Sequence, residues 1–79
     1  MDFASAIQQL AVAAHAVWWS GMERQGWQYA PHFDKASKTH DAMKPFQELH
    51  PVDRRNIIDA AEMLVDKVMW ELELPRGSD

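Results

Sequence analysis

The sequence predicts a mostly α-helical domain in which two antiparallel helices are joined by a long ordered loop, with little or no β structure. Three observations indicate this fold. Apolar residues recur at three- and four-residue steps near both ends of the chain, the pattern of amphipathic helices. The segment between them, residues 26–50, contains two prolines and no long period. A chain of 79 residues allows one domain with a single core.

The first helix is predicted over residues 2–24. Asp2 precedes the first apolar residue, where a carboxylate can accept hydrogen bonds from the free N–H groups of the first turn. The predicted apolar face consists of Phe3, Ile7, Leu10, Ala14, Val17 and Gly21.

The second helix is predicted over residues 51–72. Pro51 suits the first helical position, because the N–H that proline lacks would have no partner there. We expect Pro75 and Gly77 to stop the helix, so that residues 1–75 form the domain and residues 76–79 a frayed tail. The predicted apolar face consists of Ile57, Ala61, Leu64, Val65, Val68 and Leu72.

The two apolar faces predict which residues lie between the helices. We expect Leu10 and Val17 of the first helix to pack against Leu64 and Val68 of the second. Leu64→Ala should then cost about 2–5 kcal/mol of stability. The loop needs anchors of its own, because a structureless segment of that length is unusual in a compact domain. We expect three side chains to pin it: Trp27, Phe46 and Leu49.

The charge balance argues against several kinds of partner. Eight Lys and Arg against twelve Asp and Glu give a net charge of −4, and residues 56–79 carry two of those bases and six of those acids. No basic stripe is present to displace the counterions of duplex nucleic acid.

The longest apolar stretch, residues 10–19, is too short to span a membrane. The chain has no cysteine, so disulfides are excluded and a cytoplasmic location is expected.

The sequence contains no pattern typical of an enzyme or a metal site. No Ser or Asp is spaced from a His as in the known catalytic triads, and the glycine-rich loops that hold phosphates are missing. His32, His40 and His50 lack the HxH and HExxH spacings of zinc sites. We therefore expect no catalysis, no metal and no cofactor.

A set of aromatic and basic residues offers the chemistry of a nucleotide site. A base stacked on an aromatic ring, with its phosphate held by Arg or Lys, is a common physical solution to nucleotide binding. The predicted aromatic slot is formed by Trp18, Trp27 and Tyr29, with His15 one turn before Trp18 on the same helix face. The groups predicted to meet phosphate, or another polar group, are Lys38, His40 and Arg54, with Arg55 as the alternative to Arg54.

In the competing interpretation the same residues stabilise the fold and bind no ligand. Trp18 and Trp27 would then belong to the core, and Lys38 and Arg54 would make surface salt bridges. In that case the chain is a protein-interaction or structural module with no small-molecule ligand.

The order of these residues resembles the ryanodine receptor (RyR) domain, a small module found in tandem in those calcium channels and singly in bacterial and phage proteins. The family pattern has a His followed by a Trp, then GWxY, an Asp, KxH, a Pro with an aromatic residue, a Leu, and an Arg that opens the last helix. The matching residues, between about residues 10 and 70, are His15, Trp18, Gly26, Trp27, Tyr29, Asp34, Lys38, His40, Pro45, Phe46, Leu49 and Arg54 or Arg55. The residues that depart from the pattern are Ala16, Ala30, Asp41 and Lys44.

The resemblance implies a compact helical fold with the loop wrapped across both helices. It also implies a nucleotide or nucleotide-derived ligand, because the channel members are similar to nucleotide-binding modules and the bacterial relatives look like parts of nucleotide-centred defence and signalling systems. A sensor, or a phage sponge for a defence signal, is expected on that basis. Since tandem repeats pack together, a single repeat is expected to form a homodimer. The candidate contacts, which fall off the main apolar faces, are Trp19, Met63, Met69, Trp70 and Leu74.

Overall fold

The computed structural model describes residues 2–73 and is mostly helical. Its elements are α1, Phe3–Arg24; β1, Gln28–Tyr29; β2, Thr39–His40; a 3₁₀ turn, Phe46–Glu48; and α2, Pro51–Glu71. Both predicted helices are confirmed to within one residue at each end. The predictions that concern Leu74, Pro75, Gly77 and the tail at residues 76–79 lie outside the described residues.

Local hydrogen bonds define both ends of α1. The Oδ1 atom of Asp2 accepts from the Ser5 N–H at 2.7 Å, which confirms the predicted N-cap. At the other end Gly26 has a φ of 90°, a conformation that glycine adopts without steric cost. The N–H of Trp27 donates to the Met22 carbonyl at 3.0 Å, so the helix ends in a Schellman-type turn and the loop begins at Trp27.

The loop between the helices contains a small two-stranded sheet that the sequence analysis did not predict. β1 and β2 are parallel, with Tyr29 opposite His40. The turn before β2 is held by Asp34, whose carboxylate accepts hydrogen bonds from the Ala36 N–H and the Ser37 hydroxyl. Each strand has two residues, so the chain remains mostly α-helical.

α2 begins at Pro51, as predicted, and a histidine ring caps it. Nδ1 of His50 accepts the N–H of Val52 at 3.1 Å, in the place that Ser or Asp usually takes at an N-cap. At the other end the N–H of Leu72 donates to the Val68 carbonyl at 3.0 Å. In the described part of the chain no helix is both long and apolar enough to cross a bilayer.

The core lies where α1, α2 and the 3₁₀ turn meet. The buried cluster consists of Ile7, Ala11, Phe46, Leu49 and Ala61. Around it pack the partly buried residues Phe3, Leu10, Ala42, Ile57, Ile58 and Val65. Phe46 and Leu49 are therefore confirmed as loop anchors, whereas Trp27 is half-buried.

The predicted helix seam is wrong for three of its four residues. Val17, Leu64 and Val68 expose 69%, 57% and 45% of their surface, and of the four only Leu10 packs against the core. The residues that α1 buries are Ile7, Ala11 and His15. The predicted apolar face contains Ile7 but neither Ala11 nor His15, because a histidine does not count as an apolar residue in the helical pattern. The antiparallel orientation of the helices and the wrapping of the loop stay predictions.

The predicted dimer contacts differ in exposure. Met63 and Trp70 expose 72% and 80% of their surface. Trp19 and Met69 are half-buried. The homodimer itself stays a prediction.

Candidate functional site

His15 is the buried polar residue that joins α1 to the loop. It exposes 5% of its surface, and its Nε2 atom lies 2.7 Å from the carbonyl oxygen of Lys44. A carbonyl oxygen can only accept, so Nε2 carries the hydrogen and donates. This hydrogen bond satisfies the buried ring and holds the loop against the middle of α1.

Trp18 links His15 to the loop histidine His40. The rings of His15 and Trp18 are stacked, with centroids 5.4 Å apart and an interplanar angle of 25°. The ring of His40 meets Trp18 edge-on at 5.0 Å. Trp18 is half-buried, so part of its indole surface remains accessible.

His40 is held in place by the backbone and by two further aromatic rings. Its Nδ1 atom accepts the N–H of Ala42 at 3.0 Å, which requires an unprotonated Nδ1. Trp27 and Phe33 contact its ring at centroid distances of 6.3 and 5.2 Å, and these two rings stack on each other at 6.0 Å. The His40 ring therefore has a fixed orientation between Trp18 of α1 and the two loop rings.

A cavity of about 330 Å³ opens beside Trp18. The residues that line it are Ala14, His15, Trp18, Ala42, Leu49, Asp53, Asn56 and Ile57. Most of this lining is apolar, and Asp53 and Asn56 add a carboxylate and an amide from the first turns of α2. An apolar cavity with a few convergent polar groups is the usual form of a small-molecule site.

The structure brings together four of the predicted site residues. His15, Trp18, Trp27 and His40 form one chain of ring contacts. Tyr29 is exposed, and the Nζ atom of Lys44 lies 5.9 Å from its ring centroid. Tyr29 therefore makes its cation–π contact outside that chain of rings.

The predicted phosphate-binding cations make their polar contacts elsewhere. The Nζ atom of Lys38 donates to the Gln25 carbonyl at 3.0 Å, at the end of α1. A guanidinium N–H of Arg54 donates to the Gln47 carbonyl at 2.9 Å. Arg55 lies 4.0 Å from the carboxylate of Asp59. Arg54 and Arg55 line a different cavity, of about 440 Å³, together with Ala4, Gln8, Pro51 and Ile58.

Sequence reasoning missed Asp53 and Asn56. Neither residue is among the predicted site residues, because nothing local distinguishes them from the other polar residues of α2. The spacing of the two residues was the available signal. Residues three or four apart on a helix share one face, so Asp53 lies beside Asn56 and the partly buried Ile57. Among the described residues no three His, Asp or Glu side chains group as metal ligands.

The comparison with protein families identifies this chain's family. The family model described as RyR domain matches residues 1–74. This range contains both helices, both strands and every residue of the cavity beside Trp18. No curated protein matches the chain.

Proposed function

We propose, from the premise that this chain belongs to the RyR domain family, that it is a non-enzymatic binding domain for a nucleotide or nucleotide-derived signalling molecule. The observation that carries the proposal is the cavity beside Trp18, whose lining contains one indole ring together with the side chains of Asp53 and Asn56. In this proposal the domain acts in the cytoplasm as a sensor, or as a phage sponge for a defence signal.

The cavity offers the two kinds of contact that a nucleobase needs. Trp18 provides an aromatic surface for stacking, which is worth about 1–3 kcal/mol per base. The Asn56 amide carries donors and an acceptor that can pair with the polar edge of a base, and the Asp53 carboxylate accepts from an amine or a sugar hydroxyl. His15 supports Trp18 from the stacked side and is already hydrogen-bonded to the loop.

The phosphate contacts of the proposed ligand lie outside this cavity. Asp53 places a negative charge in the lining, so a phosphate is better held beyond it. His40 remains a proposed polar contact for that part of the ligand, beside either Lys38 or the pair Arg54 and Arg55. One phosphate cannot contact both, because Lys38 bonds at the C-terminal end of α1 whereas the two arginines lie near its N-terminal end, roughly 25 Å away. Arg54 uses one N–H for Gln47 and has further donors for an anion.

A thermal-shift screen with mono-, di- and cyclic nucleotides tests the proposal. A nucleotide present at 100 times its Kd stabilises the folded domain by about 2.7 kcal/mol, which is a clear shift for a small protein. The positive nucleotide is then titrated by calorimetry into Asn56→Ala and Trp18→Phe proteins. We expect Asn56→Ala to weaken binding by about 1–3 kcal/mol. The matched control is Val52→Ala, an exposed position on the same helix that is not part of the cavity lining. A screen without any shift, or equal affinity in all variants, would contradict this function.

Exposed apolar side chains favour a second candidate function, a protein-interaction module. Met63 and Trp70 lie seven residues apart on α2 and expose most of their surface. Two helical turns separate them, so they share one face. Large apolar groups in this position are typical of contact surfaces. Binding of a partner protein without any nucleotide response would favour this function over the first.

A further inference from the structure

A stripe of apolar residues on α1 is left outside the core. Ala6, Leu10, Ala13 and Val17 follow one another at steps of four, three and four residues, so they lie along one side of the helix. Ala6, Ala13 and Val17 are exposed, Val17 by 69%, and Leu10 is partly buried at the edge of the core. The column that α1 buries is a different one, Ile7, Ala11 and His15.

The α1 side of this surface is uncharged. α1 contains no Asp, Glu, Lys or Arg from Phe3 to Met22, whereas a helix that faces water normally carries charged side chains on that face. The acidic residues of the chain are concentrated in residues 56–79. Two copies can therefore meet through α1 despite the net charge of −4, because α1 brings no like charges into the contact between Phe3 and Met22.

The order of large and small residues in the stripe fits an identical stripe that runs the opposite way. We propose that a second copy of this chain docks here about a two-fold axis, with the two α1 helices antiparallel. When the axis lies between Leu10 and Ala13, Ala6 faces Val17 of the partner subunit and Leu10 faces Ala13 of the partner subunit. Each large side chain then meets a small one, which is the condition for close packing between two helices.

Neighbouring apolar surface widens this contact. Leu64 exposes 57% of its surface and lines, with Leu10 and Ala14, an apolar cavity of about 300 Å³ between α1 and α2.

Sedimentation of the full chain without ligand tests the proposal. Over a concentration series into the high micromolar range we expect a particle of twice the 9.1 kDa chain mass. Val17→Glu should raise the dimer dissociation constant by about tenfold or more, because it buries an unpaired charge. Val52→Glu is the matched control, since Val52 is also an exposed helical valine, and it should leave the dimer unchanged. Ala13→Glu provides a second disruptive variant, and circular dichroism confirms that each variant is folded.

A charge-pair variant tests the register. Ala6→Lys and Val17→Glu each weaken the dimer alone. The double variant restores it, because in this register position 6 of each copy faces position 17 of the other, so that two pairs of opposite charges form. A wild-type chain of single mass at all concentrations, equal effects of Val17→Glu and Val52→Glu, or a double variant that stays monomeric would each overturn the proposal. No nucleotide is present in these experiments, so their outcome is independent of the proposed ligand.

Discussion

His15 occupies a position in α1 where the core would otherwise take an apolar side chain. Its ring is buried because one hydrogen bond, from Nε2 to the Lys44 carbonyl, satisfies it and joins α1 to a residue 29 positions later in the chain. The same ring stacks on Trp18. One side chain therefore attaches the loop to the helix and supports the aromatic side of the candidate cavity.

His15→Ala should destabilise the domain by about 2–4 kcal/mol, because it leaves the partly buried Lys44 carbonyl without its donor and creates a cavity beside Trp18. His32→Ala is the matched control. The His32 side chain is exposed, so we expect a change below about 0.5 kcal/mol. Chemical denaturation followed by tryptophan fluorescence measures both. Equal stability of the two variants would show that the His15–Lys44 bond does not hold the loop.

Asp2 makes the stability of α1 depend on pH. The backbone hydrogen bond from Ser5 lowers the pKa of Asp2 below 3.8, because it favours the ionised carboxylate. The cap therefore contributes fully above 3.8 and is lost as the pH falls through the lower, folded-state pKa. Asp2→Asn keeps a capping oxygen that does not titrate. We expect the melting temperature of the wild type to fall relative to that of Asp2→Asn below pH 3.8. A constant difference across that range would contradict the assignment.

At the scale of the elements, the two helices use their apolar residues unequally. α1 turns one column into the core and leaves a second, beginning at Ala6, on the surface. In α2, Ala61 is buried, whereas Leu64 and Val68 remain exposed to a large extent. The amphipathic pattern thus exceeds what one copy of the fold buries. That excess is the reason to expect a second copy on α1.

The difference in burial between Leu49 and Leu64 gives a direct test of this packing. Leu49 exposes 4% of its surface and Leu64 exposes 57%. Leu49→Ala should cost about 2–5 kcal/mol, whereas Leu64→Ala should cost less than about 1 kcal/mol in the monomer. This replaces the larger cost that the sequence predicted for Leu64. Thermal melting in dilute solution measures both, and a larger loss for Leu64→Ala would contradict the observed core.

At the scale of the whole molecule, the candidate cavity is assembled from three parts of the chain. α1 contributes His15 and Trp18, the loop contributes Leu49, and the first turns of α2 contribute Asp53 and Asn56. A ligand held between these parts binds the folded chain and not the unfolded one. Its binding free energy therefore adds to the stability of the whole domain, which makes thermal stability a suitable measure of ligand binding.

The sequence determined the features that depend on neighbours in the chain. The extents of both helices, the cap at Asp2 and the proline at the start of α2 follow from local hydrogen bonding and periodicity, and they are confirmed. The order of the motif residues, between His15 and Leu49 above all, identified the RyR domain family, which the family match confirms. Phe46 and Leu49 were found as anchors because an ordered loop needs apolar residues of its own.

The tertiary structure alone decided which side of each helix is buried and which polar groups meet. A helical period identifies apolar columns, but the choice between adjacent columns depends on contacts far away in sequence, such as the bond from His15 to the Lys44 carbonyl. The same reason explains the cavity: Asp53 and Asn56 become site residues only when α2 lies beside Trp18. Their chemistry is visible in the sequence, whereas their proximity to an indole ring is a property of the fold.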